Sequence, residues 1–282
     1  MKTKERIAEL IFFAGALVSV LAVLLICLFL FMNAVPTIAE IGPMKFLFGM
    51  KWKPSQDIYG ILPMILASIY VTGLSILFGV PLGILTAVYM AFFCSKRLYK
   101  FLRPCVELLA GIPSIVYGFF GLMVIVPFMQ KVCGGSGKSM LTASVLLALM
   151  ILPTIITVSE NSLRSVDPAL MSGALSLGDT KETAVFRVII PAAQSGILSS
   201  VILGIGRSIG ETMAVIMIAG NQAVMPSSLV KGVRTMTANI VLEMGYATDL
   251  HREALIATGA VLFVFILIIN IAFSTISRRR SK

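Results

Sequence analysis

The apolar positions of this chain neither alternate nor recur at a helical period. They fall into six long blocks, residues 7–32, 61–93, 105–129, 140–159, 191–220 and 252–276, separated by short polar stretches. Each block reaches the ~18 residues that a helix needs to cross a hydrocarbon core. The pattern therefore predicts an all-α membrane protein with six transmembrane helices. The second block would be about 50 Å long as one helix, more than a single crossing requires. Gly79-Val80-Pro81-Leu82-Gly83 interrupts it and predicts a bend or a steep tilt. Pro113 predicts a kink in the third helix, where Gly118 and Gly121 allow close helix contact. Residues 46–52, ending at the sole Trp52, form an amphipathic stretch expected to lie at the outer membrane interface.

Composition agrees with this reading and narrows it. Of the 282 residues 58% are hydrophobic and 13% charged, with a mean hydropathy of +0.99, which excludes a soluble globular chain. A net charge of +10 raises the question of nucleic acid, but the basic residues flank the apolar blocks and set membrane orientation instead. With both termini inside, inner segments hold 14 Lys and Arg and outer segments 8, the remaining one being Arg207. That bias predicts cytoplasmic termini. The first block is too long for a signal-peptide core and is read as an uncleaved helix.

Metal and nucleotide chemistry find little support. The cysteines at 27, 94, 105 and 133 form no CxxC, and His251 is the only histidine. Gly134-Gly135-Ser136-Gly137-Lys138-Ser139 resembles a phosphate-binding loop but has Val132 where the first glycine belongs, and it reads as a flexible outer turn.

Two places carry chemistry. In the inner segment 160–190, Asp167-Pro168 provides an N-cap and a proline at N1, and Gly178 provides a helix C-terminus about three turns on. Asp179-Thr180 then opens a second helix, with Glu182 in capping-box position after Asp179. Gly173, Ala174 and Gly178 leave a small-residue surface for a docking protein. In the fifth helix, Arg207 and Glu211 are four apart and therefore expected on one face, about 24 Å along a straight helix from Pro191. Ionisable groups at such depth are costly unless paired or hydrated, so a functional role is the default. Gly206 and Gly210 thin the helix beside them. Glu107 and Glu160, near inner boundaries, read as solvated structural carboxylates.

The inner hairpin resembles the Glu-Ala-Ala coupling loop of ABC-importer permeases. Ser172-Gly173-Ala174 fills the Glu-Ala-Ala slot, Gly178 that of the glycine, and Val188, Ile190 and Pro191 the last positions. The passages 46–49 with Trp52, 107–118, 207–214, 234–240, 243–245 and 251–252 together resemble PstC-type permeases of bacterial phosphate importers. The resemblance implies a type I importer fold in the bacterial inner membrane, moving phosphate and not acting as an enzyme. It implies a PstA-type second permease, a cytoplasmic ATPase coupled through the 167–191 loop, and an extracytoplasmic phosphate-binding protein. It also implies that Arg207 and Glu211 line the substrate path and that ATP and other cofactors bind partners, not this chain. The chain then divides into a first helix with its outer loop (1–60), a type-1 transmembrane domain (61–276, coupling loop about 161–190) and a basic tail (277–282). Another oxyanion as cargo, or a secondary anion transporter built on Arg207 and Glu211, remains open on the residues alone. The topology is testable in a cysteine-free background: cysteines placed at Ser136 or Ser227 should react with an impermeant thiol reagent from outside, and one at Ser95 should not. Labelling of Ser95 from outside would overturn it.

Overall fold

In a computed structural model that describes residues 2–280, the chain folds into helices joined by short turns. Among the described residues five helices are long and apolar enough to span a membrane, or six when one bent pair is counted as a span. The expected tail 277–282 continues the last helix to Arg280, and Ser281 and Lys282 lie outside the described residues.

The first helix, α1 (Lys2–Ile41), runs nine residues further than expected, straight through Pro36. Asn33 and Thr37 donate to the carbonyls of Phe29 and Asn33, which keeps polar side chains in that stretch satisfied. A short α2 (Pro43–Phe48) and a two-residue hairpin, β1 (Trp52–Lys53) against β2 (Ile58–Tyr59), follow. This segment divides as an amphipathic stretch does, with Met44, Phe48 and Met50 exposed on one side. Phe46 is fully buried and Trp52 nearly so, packed with α1 and the last helix inside the protein.

Helix α3 (Leu62–Val88) ends in a π turn over Tyr89–Phe93. It is one span, because Gly79 and Gly83 serve packing here. A Cβ at Gly79 would lie 2.9 Å from Ile151, and one at Gly83 2.7 Å from Ile155, so α3 lies tightly on α7 (Met140–Arg164). Helix α7 runs five residues past its expected end and is the most buried span. The N–H groups of its cap Ser139 and of Met140 and Leu141, which have no partner within the helix, donate to the carbonyls of Ile218, Lys231 and Leu229.

The expected third helix is two elements. Amphipathic α4 (Lys96–Gly111) stops at Ile112, and a new span begins after Pro113 as α5 (Ser114–Phe120), a π turn and α6 (Val126–Cys133). Proline disfavours helical geometry in the residue before it, which separates the helices instead of kinking one. Glu160, expected to be solvated, is fully buried. It accepts from Arg164 at 2.7 Å and Arg103 at 3.4 Å, and Arg103 also holds the exposed Glu107.

The inner hairpin comprises α8 (Pro168–Ser176), α9 (Lys181–Ala184), a π turn (Val185–Ile189) and α10 (Ile190–Ala192). The stretch Lys181–Ala192 then meets α11 (Gln194–Gly210) at 69°. Helix α12 (Met213–Ile218) follows a break, and α13 (Met236–Met244) packs in the outer loop on α14 (Asp249–Arg280), which also runs beside α1.

At the outer end Glu243 ties three segments together. Its carboxylate accepts from Trp52 Nε1 at 2.8 Å and Arg234 Nη1 at 2.5 Å, and pairs with His251 Nε2 at 2.9 Å. Tyr59 packs on Trp52 and His251. Burial, and then its hydrogen bond to Asp57, pushes its phenol up to about 12. Removing one member of such a buried charge cluster costs about 3–5 kcal/mol because the partners stay buried and unpaired. Glu243→Ala should therefore lower the thermal midpoint of the detergent-solubilised protein markedly, and more than Glu243→Gln. An unchanged midpoint for the alanine variant would refute the cluster's role.

Candidate functional site

The fifth span was expected to be one helix carrying Arg207 and Glu211 on a common face. It is not. Helix α11 stops at Gly210, Glu211 is in extended backbone, and α12 restarts at Met213. The bend at Ala193 also removes the straight run from Pro191, so Arg207 lies about 20 Å along α11 from Gln194.

This break separates the two charged groups. Glu211 Oε1 accepts from the backbone N–H of Ala214 at 3.1 Å, filling one of the donors that α12 leaves open at its start. The Glu211 carbonyl accepts from Thr237, which fixes the turn to α13. Arg207 forms no ion pair with it. Among the described residues the guanidinium has no hydrogen-bond partner, and it interacts electrostatically with the Tyr117 hydroxyl.

Tyr117 belongs to the other broken segment. One turn inside α5, it is buried and donates to the Leu109 carbonyl at 2.9 Å, closing the gap between α4 and α5. The restarted helices α5 and α12 pack directly on each other. A Cβ at Gly118 would stand 2.9 Å from Ala214 Cα, an approach only glycine permits. On the other side the breaks border open space, for a Cβ at Gly111, Gly206 or Gly210 would meet nothing within 4 Å. Ser208, next to Arg207, is buried 2.7 Å from Ser75 of α3, which holds the end of α11 in place. The break thus leaves Arg207, a planar two-pronged donor, in the last turn of α11 with no ion-pair partner among the described residues.

The second candidate site is the inner hairpin. Asp167 caps α8 by accepting from Ala169 N at 2.8 Å, with Pro168 at N1. Gly178 has φ +94°, and Asp179 N returns to the Ala174 carbonyl, so the helix ends where the glycine implied. The next cap is one residue later than expected: Thr180, not Asp179, accepts from Thr183 N, and Glu182 closes no box with Asp179. Ser172, Gly173 and Gly178 are exposed, but Ala174 is buried against the chain's own π turn and does not belong to the free surface. Leu177, 90% exposed, takes its place there. Pro191 is exposed in α10, just before the bend.

Several participants were not singled out from sequence: Tyr117, Ser75, Ser208, and the Glu243 cluster. Tyr117, Ser208, Trp52, Arg234, Glu243 and His251 all fall within the passages that carry the family resemblance, which revealed none of their contacts, and Ser75 lies outside those passages.

The model of the binding-protein-dependent transport system inner membrane component family matches residues 79–282. The chain belongs to that family. It is 38% identical over 268 residues to the probable ABC transporter permease protein YqgH of Bacillus subtilis (strain 168), covering 91% of this chain and 87% of the relative. Phosphate transport system permease proteins PstC of Mesorhizobium japonicum and Haemophilus influenzae are 35% and 33% identical, covering 80% and 78% of this chain and 75% and 76% of theirs. The resemblance to PstC-type permeases therefore holds over most of the chain. Among solved structures, one of the inward-facing MetNI methionine ABC transporter aligns over 82% of this chain and all of its own, with TM-score 0.65 and 18% identity. A bacterial importer of the acidic polysaccharide alginate aligns over 98% of this chain, with TM-score 0.62 and 17% identity. At that identity the likeness shows the fold, an ABC-importer permease. The chain is a multi-pass membrane permease and not an enzyme.

Proposed function

We propose that this permease is the PstC-type subunit of an ATP-driven importer that carries inorganic phosphate across the bacterial inner membrane, and that Arg207 contacts the anion. One observation carries this reading: a guanidinium that Glu211 does not neutralise, set in the last turn of α11 just before the break. Leaving such a charge unpaired in an apolar surrounding is costly, and an anion passing through relieves that cost. The geometry suits any tetrahedral oxyanion, and similarity to the PstC proteins favours phosphate among them. Glu211, kept busy as the cap of α12, holds the break open; it is a positioning group for Arg207, not its counter-ion.

On this reading the chain pairs with a second permease of PstA type, receives phosphate from an extracytoplasmic binding protein, and has both termini in the cytoplasm. A cytoplasmic ATPase docks on the exposed face formed by Ser172, Gly173, Leu177 and Gly178 of α8, and ATP is bound and hydrolysed there, outside this chain. Family membership and the free, capped helix support the docking. A self-sufficient anion carrier would give that helix no work.

The test is radiolabelled phosphate uptake by the assembled transporter, read alongside co-purification of the ATPase. Arg207→Gln should abolish uptake while the complex stays assembled, and Arg207→Lys should remain poor because an ammonium lacks the two-pronged donor. A bulky residue at Gly173 should instead lose the ATPase from the purified complex. Wild-type uptake by Arg207→Gln would refute the role of Arg207, and loss of assembly in that variant would make the residue structural.

A further inference from the structure

Two cations flank α8, one on each side. Arg164 precedes the Asp167 cap by three residues, and Lys181 follows Gly178 by three. Both reach the same place, the π turn that ends α3. Arg164 Nη2 donates to the Met90 carbonyl at 2.9 Å, and Lys181 Nζ donates to the Phe92 carbonyl while standing 5.2 Å from the Phe93 ring centre. The last carbonyls of a helix have no partner within it and carry partial negative charge, so cations are the donors that suit them. Arg164 is itself held by buried Glu160 and covers the Tyr99 ring at 4.8 Å.

From that clamped end α3 runs past the rest of the machinery. Through Gly79 and Gly83 it is fitted to α7; through Ser75 it touches Ser208, the neighbour of Arg207. Near its outer end Ser68 accepts from Met236 N, at the start of α13. One helix thus joins the stems of α8, the anion site and the outer loop.

We propose that Lys181 and Arg164 are positioning residues that clamp α8 to α3, so that displacement of α8 by a docked ATPase is passed to the Arg207 site. Without the clamp α8 would move on its flanking turns and leave α3 behind. This rests on the reading of α8 as the ATPase-docking helix. Lys181 is the better of the two to alter, because it is exposed and outside both the anion site and the docking face.

The experiment uses the whole transporter, reconstituted with its ATPase and binding protein, and compares wild type, Lys181→Met and Lys181→Arg. Three quantities are read: ATPase content of the complex, phosphate uptake, and stimulation of ATP hydrolysis by phosphate-loaded binding protein. Lys181→Met should keep the ATPase at wild-type content yet lose about tenfold in uptake and in stimulation, a typical size for coupling between sites. Lys181→Arg, which keeps the donor and the charge, should recover most of both. If Lys181→Met matches wild type in uptake and stimulation, the clamp is refuted and the docking reading stands. Should Lys181→Met shed the ATPase, Lys181 belongs to the docking face and the clamp is likewise refuted. A wild-type chain that purifies with no ATPase would overturn the docking reading itself.

Discussion

A helix that stops leaves backbone donors and acceptors without partners, and this chain has two such stops whose restarted helices, α5 and α12, pack on each other. At the α4–α5 gap the Tyr117 hydroxyl takes up the Leu109 carbonyl, and at the α11–α12 gap the Glu211 carboxylate takes up the Ala214 N–H. The rest of the centre follows from those two bonds. Because Glu211 is used as a cap, Arg207 is left without a counter-ion. Because both segments restart beside each other, Gly118 lies against Ala214, and Tyr117 stands within electrostatic reach of Arg207. The surrounding helices hold the breaks still: Ser208 is fixed to Ser75 of α3, and Ser200 to Ser159 of α7 at 2.8 Å.

Much of the architecture was legible in sequence because bilayer thickness sets the length of an apolar block. Five of the six blocks correspond to single spans and the other to a bent pair, and helix-terminal residues marked α8 well at both ends. Asp167-Pro168 and Gly178 act through their own backbone, so no tertiary knowledge was needed to read them. Interruptions were harder. Gly79-Val80-Pro81-Leu82-Gly83 was read as the source of a bend or a tilt and is a packing surface, because glycine serves close approach and flexibility alike and only the facing Ile151 and Ile155 show the close approach. Gly210-Glu211-Thr212 looks helical and is a break, since its cause lies in Thr237 and in the capping use of Glu211.

The site shows the same division. Arg207 was identified because an ionisable residue in an apolar block is rare whatever surrounds it. Its separation from Glu211 was not, for spacing of four predicts a shared face only where the helix continues. Ala174 illustrates the limit of a motif: its slot in the coupling loop is filled, yet it packs inward, and Leu177 is what the hairpin presents. The Glu243 cluster joins Trp52, Arg234 and His251 across as many as 191 residues, a separation that local pattern does not reveal. It fixes the outer loop on α1 and α14, while α3 runs beneath it to the inner hairpin.

The central claim is that Arg207 faces a hydrated anion path and acts through its charge. It is tested most directly by Arg207→Cys in an otherwise cysteine-free chain within the assembled transporter. An impermeant thiol reagent should modify this cysteine, and inorganic phosphate should slow the reaction. An ammonium-bearing adduct should recover part of the lost uptake, and a sulfonate-bearing adduct none. A cysteine that never reacts, or equal recovery by both adducts, would contradict the account.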